Sequence, residues 1–184
     1  MSANGIEIER KWLVSGLPEG YRPRKHRLVE SFYLFANDDA ELRISRRVKV
    51  VNGVNGPIYG TPKYKWTFKA GNGLNRVEHE GFLTAEQYRD LVERAPGGVY
   101  HKDWYEFPMN DGLTLEISCV DDKWWYAEVE FPDEATAAAW VPINYLADCT
   151  EVTGEPGYAM KKYYRKHYKT KLRKPVPIGS LLPS

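Results

Sequence analysis

A chain of 184 residues with 42% hydrophobic side chains can bury one good core but is too short for two ordinary enzyme domains. Its 26 basic residues are balanced by 25 acidic ones, which excludes a global field that would drive it onto nucleic acid or an anionic membrane. Cys119 and Cys149, with no CxxC spacing, exclude a disulfide scaffold and a structural zinc site. The early charges Glu7, Glu9, Arg10 and Lys11 leave no apolar core for a signal peptide, so a soluble, cytoplasmic chain with no membrane segment is expected.

Short runs rich in β-branched and aromatic residues, punctuated by Gly, Pro and Asn, predict a mainly β, antiparallel protein. Side chains alternate across a strand, so residues of equal parity share a face. The first strand, Ile6 to Val14, sets Glu7, Glu9 and Lys11 against Ile6, Ile8 and Trp12. A second follows from Leu28 to Phe35. The third, Glu41 to Val51, sets Glu41, Arg43, Ser45, Arg47 and Lys49 against Leu42, Ile44 and Val48. The segment Asn52 to Pro62 holds three glycines and two prolines and reads as a mobile loop. In the fourth strand, Lys63 to Ala70, Lys63, Lys65, Thr67 and Lys69 oppose Tyr64, Trp66 and Phe68. In the fifth, Asn75 to Phe82, Arg76, Glu78 and Glu80 share a face.

Thr84 as N-cap with Gln87 three residues on, then Tyr88, Leu91 and Val92, predicts a helix to about Ala95. The sixth strand runs from Val99 to Phe107 and the seventh from Gly112 to Val120, with Thr114, Glu116 and Ser118 opposite Leu115, Ile117 and Cys119. The eighth, Trp124 to Phe131, sets Glu128 and Glu130 opposite Val129 and Phe131. Helices are predicted from Asp133 to Trp140 and from Gly157 to Tyr168. Residues 1–168 then form one domain, and residues 169–184, basic and with three prolines, a flexible tail.

Two architectures fit the alternation: a sheet with one solvated face, or a closed barrel whose polar faces point inward. The signs are segregated, with carboxylates on the first and eighth strands and cations on the third and fourth, and this favours the barrel. Glu7, Glu9, Glu128 and Glu130 offer the oxygen ligands that suit Mg2+ or Mn2+, ions that usually arrive with phosphate oxygens. Arg43, Lys69 and Lys11 could hold the remaining phosphate charge.

In order along the chain, EIERK, ELRIS, TFK, RVEHE, AEVEF and EVTGEPGY resemble the CYTH superfamily, the triphosphate tunnel metalloenzymes, over roughly residues 6–168. The resemblance implies an eight-stranded antiparallel tunnel with a polar interior and flanking helices, which binds and hydrolyses a triphosphate compound with divalent metal. It implies Glu7, Glu9, Glu128 and Glu130 as metal ligands and Glu9, Lys11 and Glu130 as catalytic residues. Lys11, Arg43, Lys69 and Arg76, with Lys102 and Lys161, become the substrate contacts.

The chain also departs from the family pattern. Ser45 stands where a second arginine is usual, Ser118 where an aspartate supports the metal site, Trp104 where the sixth strand has an arginine, and Gly157 where an arginine precedes the tyrosine. Glu116, Asp121 or Asp122 could compensate for the aspartate. Trp104 either packs or offers a stacking surface for a nucleobase. The alternatives are therefore a phospho-ligand binder without turnover, or an RNA 5′-triphosphatase or class IV adenylate cyclase-like activity. The basic, tyrosine-interleaved stretch after Met160 leaves RNA contact open. His26, His79, His101 and His167 show no metal or triad spacing, and no P-loop or GxSxG occurs.

Overall fold

Strand pairing turns the alternation of the sequence into an inside and an outside. The computed structural model describes residues 5–168. Its strands are β1 (Ile6–Leu13), β2 (Lys25–Ala36), β3 (Ala40–Gly53), β4 (Gly56–Tyr59), β5 (Lys63–Ala70), β6 (Asn75–Leu83), β7 (Tyr100–Pro108), β8 (Thr114–Val120), β9 (Trp124–Glu130) and the short β10 (Thr150–Glu151). Neighbours run β1-β6-β5-β3-β2-β7-β8-β9, and β9 pairs back onto β1, so eight antiparallel strands close into a barrel. Closure removes the sheet edges. Only β4, on β3, and β10, on β1, lie off the ring.

Cross-strand partners share a face, and their identities show which face points inward. Lys11 sits opposite Glu128, Glu128 opposite Glu116, Glu116 opposite Glu106, and Glu106 opposite Lys25. The odd-numbered positions of β1 and β3 and the even-numbered positions of β7, β8 and β9 thus line the interior. The opposite faces carry the main apolar core, where Ile8, Trp12, Leu115, Ile117, Ala127, Val129 and Phe131 pack with Ala137 of α2 (Glu134–Ala139) and Leu146 of α3 (Asn144–Ala147). Trp140 meets Trp12 and Phe131 edge-on, with ring centroids 5.8 and 5.5 Å apart.

A second cluster closes one end of the barrel. Tyr33, Tyr100, Val120 and Tyr126 meet Met160 and Tyr164 of α4 (Met160–Tyr168). A register shift between Tyr33 and Phe35 leaves Phe35 on the surface, while Tyr33 is buried among the aromatic rings. Helix α1 (Ala85–Arg94) starts at the capping box Thr84/Gln87, as the sequence predicts, and lays Tyr88 against Phe32 and Tyr64.

The structure corrects three boundaries. The segment expected as a mobile loop contains β4, which folds back on β3 from Gly53↔Gly56 to Val50↔Tyr59. Gly56, at φ +120°, makes the turn, and Pro57, which lacks an N–H, is tolerated because β4 is an edge strand. Strand β2 begins at Lys25 rather than Leu28, drawn into the sheet by pairing with β7. The last helix begins at Met160 rather than Gly157, because Pro156–Tyr158 forms a separate 3-10 turn that ends at extended Ala159. The predicted tail, residues 169–184, lies outside the described residues. No described helix is long and apolar enough to cross a membrane.

Candidate active site

The inward faces enclose two connected spaces. The larger, about 680 Å³, runs towards the end away from α4. The smaller, about 90 Å³, lies beneath residues 152–161 and Asn72–Gly73. Glu9, Arg43, Lys69, Lys102 and Glu128 line both, and so mark the middle of the tunnel.

The charges are not mixed at random around this lining. Carboxylates dominate the β1–β9 wall, where Glu9 pairs across the ladder with Glu130 and Lys11 with Glu128. The neighbouring β5–β6 wall supplies their counter-charges. Lys69 Nζ reaches both oxygens of Glu7 (2.7 and 2.5 Å) and also Glu78 (3.1 Å); Arg76 joins Glu7 (3.0 Å) and Glu9; Lys65 pairs with Glu80. Lys11 Nζ donates to Glu128 (3.0 Å) and sits 3.7 Å from the centre of the Tyr126 ring. The β3–β2–β7 wall differs. Among the described residues Arg43 has one carboxylate in reach, Glu41 at 3.9 Å, besides the Tyr33 hydroxyl, and Lys102 has no carboxylate partner and donates to the Tyr126 hydroxyl (3.3 Å).

Crowding and enclosure shift the acidities. Burial, then the charge of Glu128, raises Glu9 to about 7 against the opposing pull of Lys69 and Arg76. Burial also raises Glu116 to about 7, with Glu128 and Glu130 adding to it and the Trp104 N–H opposing. Burial works on Glu128 in the same sense, but Lys11, Lys102 and Lys69 win and hold it at about 2. Burial and the nearby Arg43 lower Lys102 to about 7. A carboxyl and an ammonium that are both near neutrality in one tunnel can exchange a proton with a bound reactant at physiological pH.

No family model matches the chain, and no curated protein does either. Among solved structures, the chain is similar to the inorganic triphosphatase NE1496, at 26% identity over 85% of this chain and 93% of that one, with a TM-score of 0.54. A second structure of NE1496 gives 27% identity over 85% and 96%, again at 0.54. The PH1819 protein of Pyrococcus horikoshii OT3 is similar at 15% identity over 77% and 81%, with a TM-score of 0.47. The NE1496 likeness covers most of both chains, and the barrel it matches has a largely charged interior. The chain has the closed, charge-lined tunnel fold of that triphosphatase.

Within this tunnel, the residues singled out in the sequence fall on the lining. Glu7, Glu9, Lys11, Arg43, Lys69, Arg76, Lys102, Glu128 and Glu130 all border one or both spaces. Lys161 borders the smaller one, but its Nζ donates to the Asp38 carbonyl (2.6 Å) and the Asn72 side chain (3.0 Å), tying α4 to two loops. Lys162 and Arg165 pair with Asp38 on the surface, so these cations of the basic helix have protein partners.

Trp104 does face the tunnel, yet it is not a free platform. Its Nε1 donates to Glu116 (2.7 Å), and the Arg27 guanidinium lies 4.8 Å from its ring centre. Ser118 is buried between Trp104 and Tyr126 in the ladder. Asp121 instead holds the hydroxyls of Tyr163 and Tyr168 (2.9 and 2.6 Å), outside the tunnel.

The sequence reading singled out none of Lys25, Arg27 and Glu106. Lys25 and Arg27 lie before the predicted start of the second strand, although their parity with Val29 and Tyr33 would have placed them on the lining. Glu106, with Arg24 and Lys25 on its two oxygens (2.6 and 2.8 Å), is held low by these partners against the effect of burial.

Proposed function

We propose that the tunnel binds and hydrolyses a triphosphate compound, with Mg2+ or Mn2+ held by Glu7, Glu9, Glu128 and Glu130. The observation that carries this reading is the division of the lining: a carboxylate wall on β1 and β9 across from Arg43 and Lys102, which have almost no carboxylate partner. Cations held without counter-charge in an enclosed space are costly unless an anion completes them. The similarity to an inorganic triphosphatase supports the same substrate class.

The donor set fits a hard divalent cation. Among the described residues no three His, Cys, Asp or Glu side chains converge into a ready-made cage. Magnesium-type ions need only one or two carboxylates when phosphate oxygens and water complete their shell. The rise of Glu9 towards neutrality also reflects carboxylates crowded on one wall, an arrangement that a cation relieves. When bound, the ion would neutralise phosphate oxygens and polarise the phosphorus.

The protein's own groups do the remainder. Arg43 offers a two-pronged donor to non-bridging oxygens, and Lys69, Arg76 and Lys11 hold the carboxylates in place. Water attacks the terminal phosphorus, the bridging P–O bond breaks, and phosphate and the shortened chain leave, the proton that water gives up passing to the departing phosphate chain. The sealed ring of Trp104 favours an inorganic tail over a nucleobase. Phosphate release from tripolyphosphate with Mg2+ or Mn2+ is expected, and loss of at least a hundredfold in Glu9→Gln and Glu130→Gln. Absence of release from any triphosphate with either metal rejects the reading.

A further inference from the structure

The tunnel holds more unpartnered positive charge than a triphosphate cradle at its middle uses. Arg47 and Arg27 line only the larger space, between Arg43 and the open mouth. Among the described residues neither has a carboxylate within ion-pair distance: Arg47 Nε donates to Ser45 Oγ (3.3 Å), and Arg27 lies over the Trp104 ring. The carboxylates that share this stretch are otherwise engaged. Glu106 holds Arg24 and Lys25, Glu80 holds Lys65, Glu78 holds Lys69, and Glu116 accepts from Trp104.

These two guanidiniums stand beside Ser45 and Trp104 on the lining. Arg47 turns back towards Ser45, and Arg27 covers Trp104, its ladder partner. Arg43 and Arg47 share the inner face of β3, four residues and about 13 Å apart along an extended strand. An anion that touches both must be narrow, elongated and charged along its length. A flat organic group finds no free aromatic face there.

We propose that the tunnel accepts linear inorganic polyphosphate longer than tripolyphosphate, with Arg47 and Arg27 holding the phosphates beyond the third. This rests on the triphosphatase reading and extends its substrate class. The distal phosphates then run from Arg43 past Lys102 towards the mouth, and the chain end at the β1–β9 carboxylates is the one cleaved.

The test measures binding of tripolyphosphate, tetrapolyphosphate and a polyphosphate of defined longer length to the intact protein by calorimetry in chelator, alongside a nucleoside triphosphate. Wild type is expected to bind the longer chains at least tenfold more tightly than tripolyphosphate. In Arg27→Gln and Arg47→Gln the ratio of long-chain to tripolyphosphate affinity falls about tenfold, the loss of one charge-assisted contact. Neither substitution breaks an ion pair, and far-UV circular dichroism checks that both variants fold. Equal affinity for all chain lengths, an unchanged ratio in both variants, or a preference for the nucleoside triphosphate overturns this inference while leaving the triphosphatase reading standing. Binding of no phosphate chain in chelator overturns this inference, which rests on the arginines, whereas the triphosphatase reading falls only if no phosphate is released with Mg2+ or Mn2+.

Discussion

Trp104 donates its indole N–H to Glu116 across the β7–β8 ladder, 2.7 Å away, and so fixes a carboxyl that burial has raised to about 7. The folded-state value lies above the ordinary 4.5, so between pH 4.5 and 7 the folded protein binds more protons than the unfolded chain. The cost of charging Glu116 therefore appears as pH rises through that window and is complete above it. Glutamine keeps the acceptor for Trp104 without the charge.

Glu116→Gln should accordingly raise the stability of the ligand-free protein by on the order of 1 kcal/mol above pH 7 and leave it unchanged below pH 4.5. Thermal melts in chelator across pH 4 to 9 check this. A constant difference at every pH would mean that the carboxyl is not titrating in the fold.

Lys102 behaves in the mirror sense. Its folded value, about 7, lies below the ordinary 10.5, so the unfolded chain binds more protons between these limits and the protein gains stability as pH rises through them. Lys102→Met should stabilise the ligand-free protein at pH 7 by on the order of 1 kcal/mol, and the gain should shrink towards pH 10. The same variant should bind tripolyphosphate at least tenfold more weakly. In wild type near pH 8, binding should take up protons, seen as a dependence of the calorimetric heat on buffer ionisation.

The barrel was legible because its signal is local. Alternation in Glu7 to Lys11, Glu41 to Lys49 and Lys63 to Lys69 fixes which side chains share a face, whatever the strand order. The pairing of charges was not legible, since Lys69 meets Glu7 and Lys11 meets Glu128 only after β6 and β9 close on β1. Arg27 escaped for a related reason. Lys25, His26 and Arg27 lie before the predicted start of the second strand, and they join it where β7 supplies Glu106 to Lys25 at 2.8 Å and Asp103 to His26 at 2.7 Å. Trp104 was read as either packing or stacking, and the choice depended on Glu116 and Arg27, which are distant in sequence or outside the predicted strand.

Gly97 lies where the plug of the barrel leaves no room. A Cβ there would stand 1.9 Å from the hydroxyl of Tyr164, whose ring is wedged 4.6 Å from Tyr33 and 5.3 Å from Tyr168. The ring has little space to retreat, so Gly97→Ala should cost roughly 1–3 kcal/mol through overpacking, read as a lowered Tm. Chemical denaturation of Gly97→Ala beside Gly16→Ala, where a new Cβ meets nothing within 4 Å, separates this from a general effect of removing glycine.

Lys161 is expected from the sequence to touch substrate and borders the smaller space, and its bonds identify a second task. Two of its three donors go to the Asp38 carbonyl and the Asn72 side chain, which joins α4 to the β2–β3 and β5–β6 connections over the closed end. Removing the ammonium cuts both of these part-buried ties at once. Lys161→Met should therefore lower stability by about 1–3 kcal/mol, whereas with one donor left for an anion the KM for tripolyphosphate should rise no more than a few-fold. Asn72→Ala shares the loop contact but adds no charge change. If it reproduces the loss of stability without the KM change, the two tasks of Lys161 are separated; a tenfold or larger KM change in Lys161→Met alone would make substrate binding its main role.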